Sequence, residues 1–207
     1  MDWWGQTWLN EGFAIFVSYI GAEHVDLSPT VHPWARFYVD EVQRVMKSDQ
    51  DPDTHWPITD ETLVHEDIQR MFGEFSYQKG GSIVGMMESI LTKPTFTKGL
   101  INYLFLMRFS SVTEDDLFVH LEAAAVEDDK WPATNKPFSE VMKSWTHQAG
   151  LPVVYASILG NGNMYLNQTW LVNSGKPTEE RLWHIPITLT SVEETPTLGR
   201  WFDSREF

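Results

Sequence analysis

Over residues 1 to about 150 the apolar positions recur at helical spacing, and after Leu151 they alternate. Thr7 is placed to cap a helix running to about Gly21, with Trp8, Phe16, Tyr19 and Ile20 on one stripe. A second helix opens near Pro33 and turns Phe37, Val42, Val45 and Met46 inward. Ser48 to Asp60, rich in Asp, Pro and Thr, predicts a loop, followed by a helix over about Leu63–Phe72. The next helix, about Ser76–Leu91, carries Ile83, Val84, Met87, Ile90 and Leu91. Thr95 to about Phe109 is apolar on most sides and is expected to be buried. Thr113 with Asp116 predicts a capping box opening a helix to about Val126, and a last helix spans about Pro137–Gln148 before Gly150 and Pro152.

Val153–Ile158 predicts a strand, Asn161-Gly162-Asn163 a tight turn, and Met164–Val172 its return. Leu182–Leu189 predicts a third strand, whereas Ser191–Phe207 is polar and lacks a clear period. The pattern divides the chain near Gly150 into a helical unit, 1–150, and a β unit, 151–207. Three strands cannot close a sandwich, so the β unit is expected to be incomplete.

Composition narrows the function. The 207 residues include ten tryptophans and are 42% hydrophobic, enough for a substantial core. A net charge of −14 argues against nucleic acid and against anionic membrane surfaces as partners. The absence of cysteine excludes disulfides, a thiolate metal site and a cysteine nucleophile. No window suits a transmembrane helix, and the Met1-Asp2-Trp3-Trp4 start does not read as a signal peptide. Asn167-Gln168-Thr169 fits the N-glycosylation pattern, a small pointer to a secreted parent.

Two residues stand out chemically. Glu11 lies among Trp8, Leu9, Phe13 and Phe16, where an unpaired charge would be poorly solvated. A metal ion is one way to offset that cost, and carboxylate oxygen suits zinc. Composition alone favours a solvated or capping glutamate. Tyr77, at a helix start, is by itself an ordinary packed aromatic, and Lys79 beside it is expected at the surface with no role. Gly80 and Gly81 cost helix propensity, which close packing against the Glu11 helix would explain.

The run Trp3-Trp4-Gly5-Gln6-Thr7-Trp8-Leu9-Asn10-Glu11-Gly12-Phe13-Ala14 resembles the third-ligand segment of the M1 family of zinc aminopeptidases. Phe75-Ser76-Tyr77-Gln78-Lys79-Gly80-Gly81 is similar to the S-Y-x-K-G motif of the same family. His55-Trp56-Pro57-Ile58 and Ser144-Trp145-Thr146-His147-Gln148-Ala149-Gly150-Leu151-Pro152-Val153-Val154 resemble two further family segments, in the family's order.

The resemblance implies a mainly α fold: the helical C-terminal half of a thermolysin-like catalytic domain, then the start of a small β-sandwich. It implies Glu11 as a zinc ligand, Tyr77 as the catalytic hydrogen-bond donor to the oxyanion, and Asn10 as a weaker candidate for orienting the helix end or the carboxylate. The zinc-binding H-E-x-x-H helix and the G-x-M-E-N strand are not in this sequence, and His65-Glu66-Asp67-Ile68-Gln69 has glutamine where the second histidine is needed. The other histidines show no ligand spacing and are expected to be surface or structural.

The expectation is therefore a fragment of a zinc aminopeptidase, inactive alone, whose parent releases N-terminal residues from peptides. Similarity to membrane-bound aminopeptidase N types implies a parent on the extracellular face of the plasma membrane or secreted, with the cytoplasm left open. The rival reading is a non-catalytic binding or scaffold module built on the same lobe.

Overall fold

The computed structural model describes residues 2–25, 32–61, 63–131, 136–173, 177, 179–189 and 197–202, with backbone alone for 188, 189 and 197–202. A short 3-10 turn, Trp4–Gln6, leads into helix α1, Trp8–Val25. Thr7 does not cap through its side chain: its buried hydroxyl donates to the Trp4 carbonyl at 2.6 Å. Helix α2, Pro33–Arg36, runs on through a π-helical stretch, Phe37–Gln43, into α3, Arg44–Ser48. Phe37 and Val45 turn inward as the spacing predicts, whereas Met46 is 40% exposed. A loop and a 3-10 segment, His65–Met71, then reach a π-helical turn, Phe75–Lys79, continuous with α4, Gly80–Leu91. Helices α5, Lys93–Leu106, α6, Glu114–Glu127, and α7, Phe138–Thr146, complete the helical region. The fold is mainly α, as expected.

The core forms where these stripes meet. Trp8 and Phe16 of α1, Ile83, Val84, Met87 and Leu91 of α4, and Leu117, Phe118 and Leu121 of α6 are all buried in one cluster. Burying such side chains contributes about 1.5–3 kcal/mol each relative to exposure. Helix α6 opens on the predicted capping box, with the Thr113 N–H donating to Asp116 Oδ2 at 2.8 Å.

Helix α5 corrects an expectation. Thr95, Phe96 and Gly99 are its buried residues, and Ile101, Leu104, Phe105 and Leu106 are each more than 60% exposed. Apolar content sets how much a helix gains from cover, but its neighbours decide which side receives it. Here α4 and α6 pack on one side only, α6 so tightly that a Cβ on Gly99 would stand 2.9 Å from Leu121 Cδ2.

Beyond Gly150 the chain forms two antiparallel ladders. Strand β1, Pro152–Ile158, pairs with β2, Met164–Trp170, in the register Pro152 to Trp170 and Ile158 to Met164. Strand β3, Ile185–Leu189, pairs with β4, Thr197–Phe202, with a bulge at Ile187/Thr188. The last strand has no counterpart in the polar pattern after Ser191. Leu166, Trp170, Trp183 and Ile185 make a second, smaller core that packs on Trp145 of α7. Among the described residues no helix is long and apolar enough to cross a membrane.

Candidate functional site

Glu11 projects from the first turn of α1, half-buried between core residues. Tyr77 projects from the π-helical turn before α4. The two elements cross backbone to backbone. A Cβ on Gly12 would lie 2.6 Å from the Gly80 carbonyl carbon, and one on Gly80 would lie 3.1 Å from both Gly12 Cα and Trp8 Cβ. The glycines whose helix cost called for close packing therefore meet the Glu11 helix directly. A π turn holds its residues on a wider circle than an α turn and occurs often at functional sites; this one carries Tyr77.

The crossing brings the Tyr77 hydroxyl to Glu11. Burial raises the Tyr77 pKa above its ordinary value, and the nearby Glu11 carboxylate raises it further. Each favours the neutral phenol, so Tyr77 stays a proton-bearing donor beside an anion. No Lys, Arg or His pairs with Glu11 among the described residues. Asn10 is exposed, and its backbone N–H donates to the Thr7 carbonyl at 3.0 Å.

Behind the site a buried polar chain fixes the start of α1. Trp8 Nε1 donates to Thr59 Oγ1 at 2.9 Å, and the Thr59 hydroxyl donates to Glu114 Oε2 at 2.7 Å. His147 pairs with the other oxygen of Glu114, and the Glu114 N–H donates to Gln6 Oε1 at 2.9 Å. Glu114 is almost fully buried. Its hydrogen bond to His147 raises the histidine's pKa, against an opposing effect of burial. Nothing in local sequence marks these partners, because they lie on four separated segments.

Lys79 is the residue sequence reasoning misplaced. It is buried, with Nζ 2.7 Å from Asp49 Oδ2 and 2.9 Å from the Gly150 carbonyl oxygen. Burial lowers its pKa and the Asp49 charge opposes that shift. Local sequence carried no signal of this, because its partners Asp49 and Gly150 lie far from it along the chain.

A carboxylate without a cation partner and a neutral phenol, held together by two helices crossing at glycines, fit part of a metallohydrolase site. Glu11 fits one oxygen ligand of a zinc ion. Among the described residues no three metal-ligating side chains converge, so the fit is to a share of such a site.

Comparison with known proteins gives the family. Residues 1–145 match the Peptidase family M1 domain. The chain is 36% identical over 189 residues to Aminopeptidase M1 of Arabidopsis thaliana, covering 91% of this chain and 20% of that protein. It is 33% identical over 196 residues to Aminopeptidase N of Rattus norvegicus, covering 90% of this chain and 20% of the relative. It is also 33% identical over 190 residues to Probable aminopeptidase 2 of Sulfurisphaera tokodaii, with 91% and 22% covered. The chain belongs to peptidase family M1. It spans about one fifth of the length of these curated relatives.

Proposed function

We propose that this segment works within a zinc aminopeptidase that removes N-terminal residues from peptides. Glu11 supplies one carboxylate ligand to the metal, and Tyr77 donates a hydrogen bond to the oxyanion of the tetrahedral intermediate. The observation that carries this reading is the juxtaposition of Tyr77 and Glu11, at a helix crossing where both motifs of the family resemblance meet. The names of the relatives support the aminopeptidase class.

Zinc, when bound, polarises the scissile carbonyl and lowers the pKa of a bound water. The two side chains of this segment have separate tasks around it. The Glu11 carboxylate holds its oxygen on a rigid helix packed against the core. The Tyr77 hydroxyl, kept protonated, donates where negative charge develops on the former carbonyl oxygen. Such a donor is worth more in the transition state than in the ground state. Asn10 carries the weaker assignment of orienting the helix end. The same reading makes the isolated 207-residue chain inactive, because one carboxylate does not hold catalytic zinc.

The test is capture of the natural protein from its source with an antibody raised against this chain. The expected species is several times larger than 23.9 kDa and releases amino acids from aminoacyl amides in a chelator-sensitive reaction. A species near 23.9 kDa without that activity would overturn the enzyme reading in favour of a binding module.

A further inference from the structure

Lys79 and Tyr77 stand two residues apart on one turn, and residues so spaced on a helix point to nearly opposite sides. Tyr77 faces Glu11. Lys79 faces the point where the helical region passes into the strands. There three groups close a ring: Lys79 Nζ to Asp49 Oδ2 at 2.7 Å, Lys79 Nζ to the Gly150 carbonyl at 2.9 Å, and the Gly150 N–H to Asp49 Oδ1 at 2.9 Å. Both side chains are at least 94% buried.

The same peptide is gripped from the strand side. Gly150 has φ +85°, and a Cβ there would stand 2.4 Å from Trp170 Nε1. The Arg181 guanidinium lies 4.0 Å from the Trp170 ring centre and donates to the Ala149 carbonyl at 2.6 Å. Residues 149 and 150 are thus held by Asp49 and Lys79 on one side and by Trp170 and Arg181 on the other.

A buried ion pair is not the cheapest way to fill that space. Apolar residues of similar volume are often as stabilising or more so. What the ring adds is direction: a planar carboxylate, a peptide and an ammonium meet in one arrangement, which fixes the rotation of the turn carrying Lys79. That rotation also sets where Tyr77 points.

We propose that Lys79 is a positioning residue for Tyr77, tying its turn through Asp49 and the Gly150 peptide to the seat of the strands. The proposal rests on the reading of Tyr77 as the oxyanion donor. It gives Trp170 and Arg181, which hold the same peptide from the strand side, a share in positioning that turn.

The experiment uses the 207-residue chain labelled with 3-fluorotyrosine. Fluorine NMR resolves its six tyrosines, and Tyr77→Phe assigns the resonance of interest. The decisive variant is the double substitution Lys79→Met with Asp49→Asn, which leaves no buried charge unpaired. The expected result is a Tyr77 resonance that shifts more than the other five, although the unfolding midpoint recovers relative to Lys79→Met alone. Lys79→Arg, which keeps the cation, should leave the resonance near its original position. A Tyr77 resonance unmoved in the folded double variant would overturn the proposal, and so would failure of both the double variant and Lys79→Arg to fold. Glu11→Gln separates the two readings. If it leaves the Tyr77 resonance unmoved, the site reading fails; if it moves the resonance while the double variant does not, only the role of Lys79 fails.

Discussion

Replacing Gly12 by alanine tests the helix crossing on which the site depends. The added Cβ would lie 2.6 Å from Gly80 C, 2.9 Å from its Cα and 3.0 Å from its oxygen, all backbone atoms that cannot rotate away. Carbon atoms pack at about 3.5–4.0 Å, so α1 and the Tyr77 turn must separate by roughly 1 Å. Overpacking of this kind costs about 1–3 kcal/mol. Against it stands the gain in helix propensity from Gly to Ala, about 1 kcal/mol. The net expectation is a loss of about 1–2 kcal/mol, taking the middle and upper part of that range.

Gly21 provides the control within the same helix. No atom lies within 4 Å of a Cβ built there, so Gly21→Ala should express the propensity gain alone. Urea unfolding of the chain followed by circular dichroism reads both variants, through midpoints at constant slope. The expected result is a lower midpoint for Gly12→Ala and a higher one for Gly21→Ala. Midpoints that both rise by a similar amount would refute the close crossing. In the proposed full-length aminopeptidase the same 1 Å displacement next to Glu11 should lower turnover by about 100-fold.

Three other outcomes follow from the same geometry. Tyr77→Phe in the proposed full-length aminopeptidase should reduce kcat by about 10²–10³ with little change in KM, and an undiminished kcat would remove Tyr77 from the oxyanion. Because the Glu114 hydrogen bond raises the His147 pKa, the pair's ionic contribution is full below about pH 6.5 and is lost as pH rises through the folded value. Unfolding free energies of His147→Gln and the original chain should therefore converge as pH rises above about 6.5, and a gap that stays constant would exclude that contribution. Leu104→Gln and Phe105→Lys, on the exposed face of α5, should change stability by no more than about 0.5 kcal/mol, whereas losses of several kcal/mol would mean that face is covered.

Local pattern determined much of this protein. The change from helical to alternating spacing marked where helices give way to strands, since side-chain direction follows backbone period. The five apolar positions read on the Ser76–Leu91 helix are all buried in α4, and the Thr113–Asp116 box opens α6, because caps and stripes are interactions within one turn or one face. The motifs around Glu11 and Tyr77 were legible only through their resemblance to family segments, since each residue by itself reads as ordinary.

What only the tertiary structure decided was which residues meet. Apolar content could not say that α5 has cover on one side only, nor could charge alone say that Lys79 is buried, since Asp49 and Gly150 lie far from it in sequence. The Trp8–Thr59–Glu114–His147 chain likewise joins residues more than fifty positions apart at two of its links and thirty-three at the third. Burying a charge or a lone donor is unfavourable until its partner is in place. Such groups are therefore placed by packing of distant segments, and their own neighbours in sequence carry little trace of it.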